Sequence, residues 1–192
     1  MIKKIVFLCG MACALSANAQ SSNFEGPSIA LNVNSATIAT NIAGAIAPGE
    51  SSTNGSIQGA YSFALSESGL FSVGATYALG DLKAGSISSS SVTAKAKNIY
   101  TIYAEPAIVN GNTAFYGKLA YIGAKGAVKG TSTTYTSDFS GIGYGVGIRT
   151  LMDKNMYVQV EFMNLNFNIE TVNSTTVEPD GTTGTVGIGY RF

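Results

Sequence analysis

Histidine and tryptophan are absent from the chain, and only 11% of its residues are charged. Without histidine a Ser-His catalytic arrangement is impossible. The charge content is under half of the roughly 25% found in an ordinary soluble domain, too little to cover a water-facing surface in the usual way. Cysteine is scarce as well. Cys9 and Cys13 both lie near the N-terminus, so nothing beyond them offers a disulfide or a thiol nucleophile. Beyond the N-terminus there is also no continuous apolar run of the ~18 residues a membrane helix needs. What the chain does have is 23 Gly, 10 Tyr and 45% hydrophobic residues. Only helices and closed barrels satisfy every backbone group in lipid, so this composition favours a membrane β-barrel.

The first nineteen residues read as a cleaved signal peptide. Lys3 and Lys4 make a basic start, Ile5 to Ala14 an apolar core, and Ala17-Asn18-Ala19 a small-residue cleavage site before Gln20. A lipid-modified Cys13 is the competing reading, but Gly10 stands where a Leu would be wanted. Removing Lys3 and Lys4 from 11 basic residues leaves 9 against 11 acidic ones, a net charge of −2. That balance has no basic patch of the kind a nucleic-acid partner requires.

Residues 20–192 then form one domain of eight alternating segments. In the first, about Ser28 to Thr37, Ile29, Leu31 and Val33 share one face. The second and third, Ser56 to Leu65 and Leu70 to Leu82, place Ile57, Tyr61, Phe63, Phe71, Val73 and Tyr77 outward. The fourth, Asn98 to Val109, carries Pro106, which is expected near the periplasmic end where ladder bonding is incomplete. Asn110-Gly111-Asn112 signals a hairpin turn into the fifth, Thr113 to about Lys125. In the sixth, Ile142, Tyr144, Val146 and Ile148 alternate with glycines, and Asp153-Lys154-Asn155 turns the chain into the seventh. There the apolar phase changes near Met163, which predicts a β-bulge. The eighth ends on Tyr190 and Phe192.

Connection lengths alternate long and short along the chain, giving three short turns and four polar loops of about 8–17 residues. With both termini periplasmic, this is the arrangement of an outer-membrane barrel. Period-2 alternation alone also allows a soluble, lipocalin-like periplasmic barrel whose apolar residues point inward. Against that stand the charge-poor opposite faces and the aromatics placed near strand ends, such as Phe71, Tyr100 and Phe115.

The run Gly141-Ile142-Gly143-Tyr144-Gly145-Val146-Gly147-Ile148-Arg149, the following Tyr157 to Phe162, and the closing Gly187-Ile188-Gly189-Tyr190-Arg191-Phe192 resemble the small OmpA/OmpX-like, opacity-type outer-membrane β-barrel domains. The resemblance is sharpest over roughly the last fifty residues. It implies an all-β, eight-stranded antiparallel up-and-down transmembrane barrel in a Gram-negative outer membrane, with variable surface loops. Members serve as adhesins, structural proteins or narrow pores, so no single activity follows. Tyr190 and Phe192 resemble the C-terminal aromatic signal read by the barrel-assembly machinery.

The inward faces carry Glu105, Lys118, Arg149, Glu161 and Arg191, with Gln58, Gln159, Tyr103 and Tyr116 beside them. An eight-stranded barrel is only wide enough for side chains to fill it, and an isolated charge there is expensive. A salt-bridged plug is the expected arrangement, and a narrow ion- or solute-conducting passage is the alternative. Glu105 and Glu161 as a general acid/base pair is the weakest reading beside so many cations, so no enzyme, cofactor or metal is expected. The Gly141 to Gly147 run lacks the Gly-Lys-Ser/Thr ending of a phosphate loop. At the rim, Lys83, Lys95, Lys97, Lys125 and Lys129 lie opposite Glu170, Glu178 and Asp180, and offer a contact for lipopolysaccharide phosphates or an anionic host surface. The expectation is a monomeric structural or surface-interacting protein embedded in outer-membrane lipid.

Overall fold

The computed structural model describes residues 20–42, 45–87, 92–129, 134–168, 170–172 and 175–192. The signal-peptide expectation for 1–19 lies outside them. Among the described residues ten strands follow a short 3-10 turn (Ser21–Phe24). They are β1 (Gly26–Ile42), β2 (Ala45–Ala64), β3 (Gly69–Ala78), β4 (Leu82–Ile87), β5 (Val92–Asn110), β6 (Thr113–Lys129), β7 (Thr134–Leu151), β8 (Met156–Phe167), β9 (Glu170–Val172) and β10 (Thr175–Arg191). Eight of these pair antiparallel in the order β1-β2-β3-β5-β6-β7-β8-β10, and β10 returns to β1 to close the barrel. The closure runs from Ser28↔Arg191 to Ile42↔Val177. β4 extends the β3 side of β5, and β9 extends the β8 side of β10.

Three short turns sit at one end, together with Gln20 and Phe192, the two ends of the described chain: 65–68, 111–112 and 152–155. Gly111 has φ +57°, a left-handed conformation that favours glycine and lets the chain reverse within two residues. At the other end the expected polar loops are largely strand. β1 and β2 pair as far as Ile42↔Ala45, and β6 and β7 as far as Lys129↔Thr134. Threonine and serine, which read as loop in the sequence, continue the ladder because both hydrogen-bond and pack acceptably on a pleated surface that faces water.

Within the barrel wall the alternation points as expected. Ile29, Leu31, Val33, Tyr61, Phe63, Val73, Tyr77, Leu119, Tyr121, Tyr144, Val160 and Ile188 are all exposed. A soluble barrel with those side chains in its core is therefore excluded. The ladder between β5 and β6 is interrupted at Glu105 and Pro106 and resumes in the same register, as a proline without an N–H requires.

Two expectations are corrected. No bulge occurs at Met163: β8 keeps one register against both β7 and β10 throughout. Instead Met163 continues the buried phase of Tyr157, Gln159 and Glu161, while Asn164 and Asn166 continue the outward phase of Val160 and Phe162. The strand has left the apolar band, so its outer face turns polar and its inner face apolar. A bulge does occur in β5, between Lys97 and Tyr100, where Asn98 has φ +49°.

Candidate functional site

The interior is layered from the turn end upward. At the bottom Phe24, on the 3-10 turn, packs with Ala30, Leu70, Val109, Ala114, Leu151 and Tyr157. The turn itself is tied down by Ser21, whose amide donates to the Glu67 carbonyl at 2.9 Å and whose hydroxyl donates to the Ser66 carbonyl. Phe24 corks the barrel mouth. Its signal in the sequence is one aromatic in an otherwise polar leader, easily passed over.

Above the cork lie the charges. Four consecutive barrel strands each supply one: Glu105 on β5, Lys118 on β6, Arg149 on β7 and Glu161 on β8, all buried. Lys118 Nζ donates to Glu161 Oε2 at 2.6 Å and stands 3.1 Å from Glu105 Oε1. Arg149 Nη2 donates to Glu105 Oε2 at 3.0 Å, and its Nε to Gln159 Oε1 at 3.2 Å. Two carboxylates thus meet two cations with no net charge, the condition under which buried ions are tolerated. Rings extend the packing: Lys118 Nζ is 4.0 Å from the Tyr103 ring centre, and the Arg149 guanidinium lies 5.2 and 5.1 Å from those of Tyr116 and Tyr157. Tyr116 also donates to Glu161 Oε2 at 3.2 Å. Room for these rings comes from the opposing inward glycines. A Cβ at Gly147 would run into the Tyr116 ring, and one at Gly74 into that of Tyr103.

An amide layer carries the network across the lumen. Gln159 Nε2 donates to Asn32 Oδ1 at 2.9 Å and to Gln58 Oε1 at 2.8 Å, and Gln58 Nε2 donates to Tyr103 Oη at 2.6 Å. Asn32 belongs to this belt, and Thr185 donates to Asn34 Oδ1 beside it at 3.0 Å, although the sequence reading did not single them out as site residues. Both are inward polar residues on strands whose partners become identifiable only once the barrel closes.

Of the five inward charges expected, four form the network and Arg191 does not. It sits at the turn end, half-buried, and donates to the Glu25 carbonyl at 3.0 Å and the Lys154 carbonyl at 2.9 Å. Its position on the last residue of β10 puts it at the mouth, below the charge layer. Glu105 and Glu161 are each held by a cation, Glu105 by Arg149 and Glu161 by Lys118.

Above the network a cavity of about 100 Å³ opens towards the long hairpins. Lys118 and Glu161 lie at its floor, Asn34, Asn54 and Thr185 on its walls, and Leu82, Ile122, Met163 and Leu165 around its top.

On the outer surface, Lys83, Lys95, Lys97 and Lys125 are exposed. They fall on neighbouring strands, with Lys83 opposite Lys95 and Lys97 opposite Lys125. Lys129 is opposite Thr93 in the ladder, and its side chain lies outside the described residues, as do those of Glu170 and Glu178. Asp180 is exposed on β10. Tyr190 and Phe192 pack edge to face, ring centres 5.1 Å apart, and the Phe192 amide donates to the Pro27 carbonyl at 2.9 Å.

Among solved structures the fold is similar to Neisserial surface protein A, at TM-score 0.55 and 14% identity over 88% of this chain and all of that one. It is likewise similar to Ail, the attachment invasion locus protein of Yersinia pestis, at 0.52 and 17% over 88% and 99%. The outer membrane protease OmpT of Escherichia coli shares it too, at 0.50 and 10% over 86% and 96%. A comparison with curated protein sequences finds no match. Identities this low establish the architecture alone, one that serves a protease as well as an attachment protein. The family described as outer membrane protein beta-barrel domain matches residues 5–192, essentially the whole chain, and the protein belongs to it.

Proposed function

We propose that this protein is a sealed, monomeric outer-membrane scaffold that holds its four long hairpins at the cell surface, in a structural and surface-interacting, adhesin-like role. The observation that carries this reading is the filled lumen. A cork around Phe24 and the Glu105–Lys118–Arg149–Glu161 network together occupy the barrel from its turn end to beyond mid-height. Barrels of this width are packed by side chains rather than opened by them. The hairpins, rich in Thr and Ser, then form the part that meets the medium. That the Yersinia attachment protein has been solved with the heparin analogue sucrose octasulfate makes an anionic partner for the rim lysines a reasonable class to test here.

The test is single-channel recording of the refolded mature chain in planar bilayers, together with binding of cells displaying it to immobilised host glycans. No steady conductance and display-dependent binding are expected. Steady current abolished by Arg149→Ala or Glu161→Ala would replace this reading with the narrow pore, which the cavity reaching down to Lys118 and Glu161 favours. Export by the N-terminal signal and recognition of Tyr190 and Phe192 by the assembly machinery belong to the same proposal. Phe192→Ala is expected to lower the amount assembled in outer-membrane fractions.

A further inference from the structure

We propose that the outer face of β2, β3, β5 and β6 binds one phosphorylated glycolipid of the outer leaflet, with an acyl chain over Gly59 and Ala75 and its phosphates against Lys95, Lys97 and Lys125. This rests on the surface-interacting reading and names the partner as membrane lipid. The acyl part is a trough in the lipid-facing wall. Gly59, Ala75 and Ile102 form one row across three strands, below the row Ile57, Tyr77 and Tyr100. Gly59 and Ala75, small beneath Ile57 and Tyr77, leave a depression that Ile102 and Tyr100 bound on the third strand. A Cβ placed on Gly59 would meet nothing within 4 Å. Tyr77 and Tyr100 also line the next depression, shared with Asn98, Tyr121, Lys125 and Asp138. The two depressions thus adjoin at the Tyr77 and Tyr100 rings, one apolar and one carrying charge.

Height supports the assignment. A strand crosses the hydrocarbon in roughly 9–11 residues, so β6, entering near Phe115, leaves it by about Gly123 to Lys125. The cations stand where headgroup phosphates lie, directly above tyrosines that mark the interface. Their arrangement is the second, independent observation. Lys97 faces Lys125 across the ladder, and Lys95 is exposed two residues above Lys97 on the same face of β5. Like charges directly opposite destabilise a sheet; among the described residues Asp81 reaches Lys97 at 3.9 Å and Asp138 stands opposite Lys125, two carboxylates beside three lysines. The Asn98 bulge creates this face. Without its extra residue, the alternation set by Tyr100 would turn Lys95 and Lys97 inward, onto the apolar collar of Ile122 and Met163. A phosphate between the rows accepts from several ammonium groups and removes the repulsion.

The experiment is native mass spectrometry of the refolded mature barrel released from micelles, with bis-phosphorylated lipid A, the same lipid dephosphorylated, and sucrose octasulfate as probes. One lipid A is expected to stay bound, and the dephosphorylated lipid to be lost. Lys97→Gln and Lys125→Gln are each expected to weaken retention about fivefold, on the scale of one lysine at an anionic lipid surface. Gly59→Leu fills the trough and is expected to weaken it with the lysines intact. Lys154→Gln, at the opposite end, serves as the unaffected control. Heat-modifiability on a gel confirms that each variant is folded. Retention of lipid A unchanged by the lysine variants overturns the proposal, as does lysine-dependent capture of sucrose octasulfate without lipid A. Gly59→Leu binding like the parent removes the acyl trough. A barrel that conducts yet retains lipid A defeats the sealed-scaffold reading and leaves this one standing; a sealed barrel that retains none defeats this one alone.

Discussion

The lower and upper parts of β8 share one uninterrupted register but assign their faces oppositely. From Met156 to Phe162 the outward side chains are Met, Val, Val and Phe, and the inward ones Tyr157, Gln159 and Glu161. Two residues on, Asn164 and Asn166 face out while Met163 and Leu165 face the interior, Met163 packing with Tyr103 and Ala120. β1 repeats this. In β1 the outward row passes from Leu31 and Val33 to Ser35 and Thr37, and the inward row from Asn32 and Asn34 to Ala36 and Ile38. The backbone is the same in both parts and the solvent is not. Where lipid surrounds the wall, apolar side chains go outside and the lumen takes the polar ones; where water surrounds it, the ordinary rule of a soluble sheet returns.

The largest effect that separates the two parts comes from their interiors. In the lower part every buried charge depends on its partners. Glu105→Ala leaves Arg149 without its carboxylate and Lys118 with only Glu161, a loss expected at about 3–5 kcal/mol. Around Met163 the upper interior is apolar packing against Tyr103 and Ala120, and Met163→Leu should cost under about 1.5 kcal/mol. Urea unfolding of the refolded barrel in micelles measures both. Equal midpoints would mean that the charge network is not what holds the lower part together.

Exteriors give the next contrast. Val160 and Asn164 lie on the same face of β8, four residues apart. Arginine at Val160 must sit in hydrocarbon and is expected to cost about 2–4 kcal/mol. At Asn164 the same arginine faces water and is expected to change stability by under about 0.5 kcal/mol. The same unfolding measurement decides it. A comparable loss at Asn164 would place the edge of the apolar band higher than the change of phase indicates.

Smaller again is the difference between inner and outer glycines. A Cβ on Gly145 would press on the Phe162 carbonyl and come within 2.9 Å of Met163 Cα, backbone that cannot swing aside, so Gly145→Ala is expected to cost about 1–3 kcal/mol. At Gly59, on the lipid face, nothing lies within 4 Å, and Gly59→Ala is expected to leave the unfolding midpoint unchanged. A loss at Gly59 equal to that at Gly145 would show that crowding does not distinguish the lumen from the wall.

The membrane part was legible because one pattern carried it. Apolar residues every second position, with Gly or a single charge between, name the strands, their inward faces and four of the five lumen charges. The upper part was not legible for the same reason. Its Thr- and Ser-rich strands lack an apolar outer face and so read as loops, and the reversal at Met163 read as an inserted residue. Arg191 shares its face with Gly187 and Gly189, but alternation reports direction and not height. Nothing in it separates a lumen charge from one at the mouth. Phe24 had no strand around it to make its burial visible, since its place is fixed by Ser21 bonding to the turn at Ser66 and Glu67.

The smallest expected effect falls at the boundary itself, on β5. There the passage from lipid to water is made by a register shift, with Asn98 held at φ +49°. On β8 no shift is needed, because its apolar and polar residues already exchange faces in sequence. On β5 they do not: Lys95 and Lys97 are out of phase with Tyr100 and Ile102, and one extra residue restores them to water. Asparagine tolerates the left-handed region, glycine does so more freely, and a β-branched residue resists it. Asn98→Gly is therefore expected to be close to neutral and Asn98→Val to cost about 1–2 kcal/mol. Labelling of Lys95 and Lys97 by an amine-reactive reagent should stay complete in Asn98→Gly. Partial protection of both lysines in a folded Asn98→Val barrel would mean that the strand escapes the strain by giving up the bulge, and that the cations can be driven inward by a single backbone preference.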